Sequence, residues 1–146
     1  MLVGAVALAA WAPGPVATQI GAQEGDVRQR VVDLTNAERM RAGLAPLRSD
    51  PRLTTASRRY ADFQAQGDCT GHFCDGSPAD RARRAGYPSE YVGENWAGGY
   101  QTPEEVVGGW MASEGHRANI LKPDYQAIGV GMARRRVRHH LGPALW

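Results

Sequence analysis

At 146 residues the chain has the length of one domain, enough to bury a core. Its 42% apolar and 8% aromatic content excludes a disordered polymer, and a formal charge of +2 is too small to argue for nucleic-acid or membrane binding. Sixteen of the seventeen basic residues are arginine and only Lys122 is lysine, a bias that reflects GC-rich coding and says little about partners.

The start reads as a targeting segment. Residues 2–11 form an uncharged apolar run with the length of a signal-peptide core, too short to span a bilayer. Pro13, Gly14 and Pro15 break it, and small residues follow, so cleavage is expected after Ala22. Residues 1–22 are thus read as a leader, residues 23–133 as the domain and 134–146 as a separate tail. The leader predicts export, to the outside of the cell or its envelope, and no later segment is apolar enough to cross a membrane.

From Gly25 onward the punctuation is regular. Asp26 caps a predicted helix with Val27, Val31, Leu34 and Ala37 on one face and Gly43 as its stop. Asp50-Pro51 opens a second, with Leu53, Ala56, Tyr60 and Phe63 as its buried stripe and Gly67 at its end. Cys69 and Cys74 follow. In an exported protein such a pair forms a short-loop disulfide, and two thiols alone make a poor zinc site even with His72 between them. Ser77-Pro78-Ala79-Asp80 reads as a capping box for a third helix that stops at Gly86, and Thr102-Pro103-Glu104-Glu105 repeats the signal for a fourth, with Trp110 in the core.

Strand signals are fewer. Residues 91–97 are a weak candidate, and residues 127–133 a clear one, with Ile128, Val130 and Met132 alternating on one face. Gly129 and Gly131 on the other face leave room for a helix or ligand to approach the backbone. Helices precede most strands, so the class is α+β rather than a wound βαβ sheet. The tail, residues 134–146, alternates poorly and carries Pro143, so it is not expected to form a strand.

The chemistry-bearing groups are His72, Glu94, Glu114 and His116, set beside glycines, aromatics and helix ends. Two imidazoles with one or two carboxylates are suitable ligands for zinc or a similar divalent ion, His72 and His116 being the candidate metal ligands. The competing reading is a hydrogen-bonded cluster in which the carboxylates hold the histidines in place. For hydrolysis a nucleophile is needed, and Ser89 and Ser113 sit in no nucleophile-elbow pattern. Trp96, Tyr100 and Tyr91 are candidates to line an apolar groove.

In order and spacing, Asn36-Ala37-Glu38-Arg39, the lone His72, Asp80-Arg81, Ala85-Gly86-Tyr87, Gly93-Glu94-Asn95, Trp110, the run from Gly115-His116-Arg117 to Leu121, and Ile128-Gly129-Val130-Gly131 resemble the CAP superfamily of cysteine-rich secretory, antigen 5 and pathogenesis-related class 1 proteins. The likeness is strongest to its bacterial secreted branch. The resemblance implies a three-layer α-β-α sandwich with a small antiparallel sheet between helices, and a central cleft lined by two histidines and two acids. Carried over by position, these are His72, His116 and Glu94. Ser113 stands where animal and plant members place the second acid, so Glu114 either substitutes for it or faces solvent. The resemblance also implies binding of a lipid, sterol or other small molecule more than catalysis, with a metal-assisted hydrolase and a structural envelope protein as the alternatives.

Overall fold

A computed structural model describes residues 15–67, 71–134 and 139–145. Its elements are α1 (Pro15–Arg41), β1 (Arg48–Ser49), α2 (Pro51–Gln66), α3 (Pro78–Arg84), β2 (Glu94–Asn95), α4 (Pro103–Ala112), α5 (Glu114–Ile120), β3 (Ala127–Arg134) and β4 (His139–Leu145). The strands form one sheet in the order β1-β3-β4-β2. β4 runs antiparallel to both β2 and β3, whereas β1 lies parallel to β3. The expected antiparallel sheet is therefore mixed, because the two-residue β1 reaches β3 from the end of α1 through a short loop.

The periodicity of β3 sets the layers. Ile128 and Val130 point into a core with Val31, Val32, Val106, Trp110 and Ile120, drawn from α1, α4 and α5. Gly129 and Gly131 face α2, so near that a Cβ on either would meet the backbone of Leu53 and Thr54 or of Ser57. The Ser57 hydroxyl donates to the Gly129 carbonyl at 2.9 Å, completing a helix-on-strand contact that needs both glycines. α2 thus covers one face and α1, α4 and α5 the other, giving the α-β-α sandwich.

The helix signals hold at α2, α3 and α4. Asp50 accepts from the Arg52 and Leu53 amides, and Ser77 and Thr102 each close a full capping box with Asp80 and Glu105. Three readings are corrected. The stripe of α2 runs Leu53, Ala56, Ser57, Tyr60, Ala61 and Gln64, which turns Phe63 outward to 44% exposure. The first helix begins at Pro15 rather than after Asp26, and continues through Ala22, across the expected cleavage point. The apolar run of residues 2–11 lies outside the described residues.

The third correction concerns the tail, which supplies β4. Val130 pairs with Ala144 and Met132 with Leu141, so Gly142 and Pro143 together oppose Gly131 alone. Two residues against one is a β-bulge, and a bulge tolerates a residue without an N–H. The proline therefore bends the strand without ending it. Residues 135–138, most of the arginine cluster, lie outside the described residues.

A buried cation ties the two ends of the domain together. Arg39, 1% exposed, donates to the carbonyls of Ala45, Ile120, Lys122 and Tyr125 at 2.7–3.2 Å. Two connections, the one after α1 and the one after α5, thereby close around one guanidinium, whose five donors suit several carbonyls at once. Beside it the Asn36 amide donates to the Leu47 carbonyl and accepts from the Leu47 amide, holding the approach to β1 as a strand neighbour would.

Candidate functional site

β2 places Glu94 beneath the loop between α2 and α3. Its side chain is 1% exposed, and both oxygens are engaged. Oε1 accepts from His72 Nδ1 at 2.8 Å, and Oε2 accepts from Arg81 Nη2 at 2.6 Å. Burial pushes the Glu94 carboxyl above its usual range, and Arg81 and His72 oppose that shift. Because Glu94 accepts from Arg81, the proton of the His72 contact belongs on Nδ1. Nε2 of a neutral ring is then an acceptor, on a side chain 38% exposed.

Arg81 does more than balance a charge. Its Nη1 donates to the carbonyls of His72 and Gly76 at 3.0 and 2.7 Å and to Asp75 at 3.2 Å, and its guanidinium lies 3.6 Å from the Tyr60 ring centroid. Tyr60 and Gln64 each donate to the Gly71 carbonyl, and the Cys74 amide donates to the Tyr60 hydroxyl. Burial raises the Tyr60 pKa, so the hydroxyl keeps the proton that this relay requires. Four side chains from two helices and a strand thus fix the segment that carries His72.

His116 sits in α5, with its backbone carbonyl held by the Asn95 amide at 3.0 Å. The Asn119 amide donates to the Glu94 carbonyl and to Asn95 Oδ1, tying α5 to β2. Burial lowers the His116 pKa, and the neighbouring charge of His72 lowers it further. The unfolded chain therefore binds the proton more readily than the native one. Stability is expected to fall as pH drops through the window below the ordinary histidine value of 6.5, and His116→Gln should flatten that slope in urea titrations. An unchanged slope would remove the assignment.

The four candidate residues are not equivalent. His72 and Glu94 are in contact, and His116 is near enough to sense the charge of His72. Glu114 is exposed in the first turn of α5, and among the described residues no hydrogen bond or ion pair joins it to either imidazole. Nor do the aromatics form one groove. Trp96 donates to Gln64, Tyr91 packs on Tyr125 with centroids 5.5 Å apart, and Tyr100 lies over Gly109. Cys69 lies outside the described residues, and no cysteine among the described ones is free.

With Glu94 committed at both oxygens, the donor set does not make a resident metal centre. No group of three or more His, Cys, Asp or Glu among the described residues is placed to hold an ion. Two imidazoles remain, sufficient only for an ion whose other ligands come from solvent or a bound molecule. Sequence reasoning missed Arg81, Tyr60 and Gln64 as site residues. Arg81 carried one signal, a basic residue between the capping Asp80 and Ala82 on a helix whose alanines face inward.

A helix-flanked sheet with a buried glutamate bonded to a partly exposed histidine at its edge matches a CAP-type domain. The chain belongs to that family, described as the cysteine-rich secretory protein family, whose model matches residues 32–139. It is 45% identical over 105 residues to the uncharacterized protein YkwD of Bacillus subtilis, covering 70% of this chain and 41% of that one. It superposes on an extracellular protein containing an SCP domain from Bacillus anthracis with a TM-score of 0.76 at 25% identity, covering 83% of this chain and 40% of that one. An outer surface protein of Borrelia burgdorferi shares the fold, with a TM-score of 0.74 at 19% identity over 80% of this chain and 88% of that one. This chain therefore spans about two fifths of the length of YkwD. No helix among the described residues is long and apolar enough to cross a membrane.

Proposed function

We propose that this is a binding domain of the extracellular or envelope space, whose His72 ring receives a small ligand carrying both a hydrogen-bond donor and an apolar part, a lipid or sterol being the favoured class. The observation that carries this reading is the arrangement at His72. Glu94 fixes Nδ1 and leaves Nε2 to accept, while the adjacent Phe73 ring stands 74% exposed, edge-on to the imidazole at 6.3 Å. An oriented acceptor beside an uncovered aromatic suits an amphipathic ligand. Catalysis finds less support, because no hydroxyl or thiol among the described residues is bonded to either imidazole. Export and the Cys69–Cys74 bridge belong to the same reading, and mass spectrometry of the mature protein should give a start near Gln23 and a mass two protons below the dithiol form.

The test is an NMR titration of the histidine and phenylalanine rings with phosphatidylcholine vesicles, with and without cholesterol, and separately with zinc. Lipid is expected to move the His72 and Phe73 resonances, and Phe73→Ser to abolish the effect without lowering the melting temperature. His72→Ala should abolish it in a protein still folded by circular dichroism, though less stable because Glu94 loses a partner. The proximity of His116 favours one second reading, a divalent ion shared by the two imidazoles. Zinc that raises the melting temperature in the wild type, but not in His72→Ala or His116→Ala, would establish it instead. Esterase turnover lost in His72→Ala would overturn both in favour of an enzyme.

A further inference from the structure

A second feature shares no residue with the His72 cluster. β1 ends after pairing with Ala127 and Ile128, so beyond Ser49 the outer edge of β3 has no strand beside it among the described residues. α1 and the start of α2 border this gap, leaving a cavity of about 150 Å³. Val32, Ile128 and Val130 give it an apolar wall, and Thr54 adds hydrocarbon, its hydroxyl being bonded to the Asp50 carbonyl at 3.0 Å. Arg28, Gln29 and Ser49 are its polar members, and the Gln29 amide already donates to Asp33 at 2.8 Å.

Arg28 is the informative residue. Its Nη1 is buried and has no hydrogen-bond partner among the described residues. The Glu24 carboxylate stands 3.9 Å away, which screens the charge but is too long for a hydrogen bond. The Arg28 side chain as a whole is 18% exposed and so keeps some solvent, but its buried Nη1 lacks an acceptor, which an anion would supply through a charge-assisted bond. The walls select among anions. A doubly charged phosphate would surrender its hydration to aliphatic side chains, whereas a carboxylate on a hydrocarbon body satisfies both surfaces. A space of about 150 Å³ also has room for a benzene ring.

We propose that this cavity is a second binding site, for a small monocarboxylate whose charged end meets Arg28 and whose apolar body packs on Val32, Ile128 and Val130. It requires nothing of the His72 site.

Benzoate is the probe, titrated into the full chain and followed by amide NMR shifts and calorimetry, with benzyl alcohol as its neutral counterpart. Saturable shifts at the Ile128 and Val130 amides are expected, with affinity lower by about tenfold for benzyl alcohol and for Arg28→Gln. Glu24→Gln removes the competing carboxylate and should tighten binding several-fold. Val32→Phe, which fills the void while keeping the arginine, should abolish binding in a protein still folded by circular dichroism. The site does not exist if wild-type protein gives no saturable shift, or if Val32→Phe binds unchanged. Equal affinity for benzyl alcohol, or for Arg28→Gln, overturns the carboxylate assignment.

Discussion

Replacing Arg81 by leucine is expected to cost about 3–5 kcal/mol, because it leaves the buried Glu94 carboxylate without its cation. For a domain of this length that corresponds to a fall in melting temperature of about 10 °C or more. Urea denaturation measures the loss directly. The same substitution removes the donors to the His72 and Gly76 carbonyls, so the His72 segment should lose amide-exchange protection beyond the global change. The sign of the pH dependence is a further check. With Arg81 gone, burial acts on Glu94 with less opposition, so its native pKa rises further above the unfolded value. The native state then binds the proton more tightly, and the variant should regain part of its stability on acidification. Arg81→Leu combined with Glu94→Leu should recover most of the loss, since no charge is stranded. A double variant no better than the single one would show that loop bonds, not the buried pair, set the cost.

Gly129→Ala and Gly131→Ala are expected to be nearly as damaging, at about 3 kcal/mol each. The added Cβ meets main chain of α2, at Leu53–Thr54 and at Ser57, and a helix backbone cannot rotate aside as a side chain can. The effect is specific to place. Gly108, exposed in α4 with nothing near its missing Cβ, should gain about 0.5–1 kcal/mol on conversion to alanine. Its neighbour Gly109 faces the Tyr100 ring and should not gain. Thermal melts of the four single variants decide the matter. A mild Gly131→Ala would mean that α2 can lift from the sheet.

Much of this was legible in the sequence because the signals were local. Asp50, Ser77 and Thr102 announce their helices by caps that need only the next three residues, and the Gly129-Val130-Gly131 alternation announces a strand with one crowded face. What escaped was set at a distance. β1 is two residues long and exists because Asn36 and β3 hold it, so no periodicity within it marks a strand. β4 hid behind Pro143, whose place becomes intelligible only when Gly131 is seen opposite the bulge. At the site, Glu94 and His72 could be selected by residue type, but the role of Arg81 could not. Its partners come from β2 and the α2–α3 loop, and nothing in the α3 sequence records that they converge there.

The guanidinium of Arg39 has a consequence for how the chain acquires its shape. Its four carbonyl partners include Ile120, Lys122 and Tyr125, which are 81 to 86 residues further along. Until those residues have been synthesised, the inward face of the first helix carries a charge with nowhere to settle. Closure of this end of the domain is therefore expected to follow synthesis of the last quarter, as a long-range step. An intermediate lacking that quarter should remain loose and open to proteolysis.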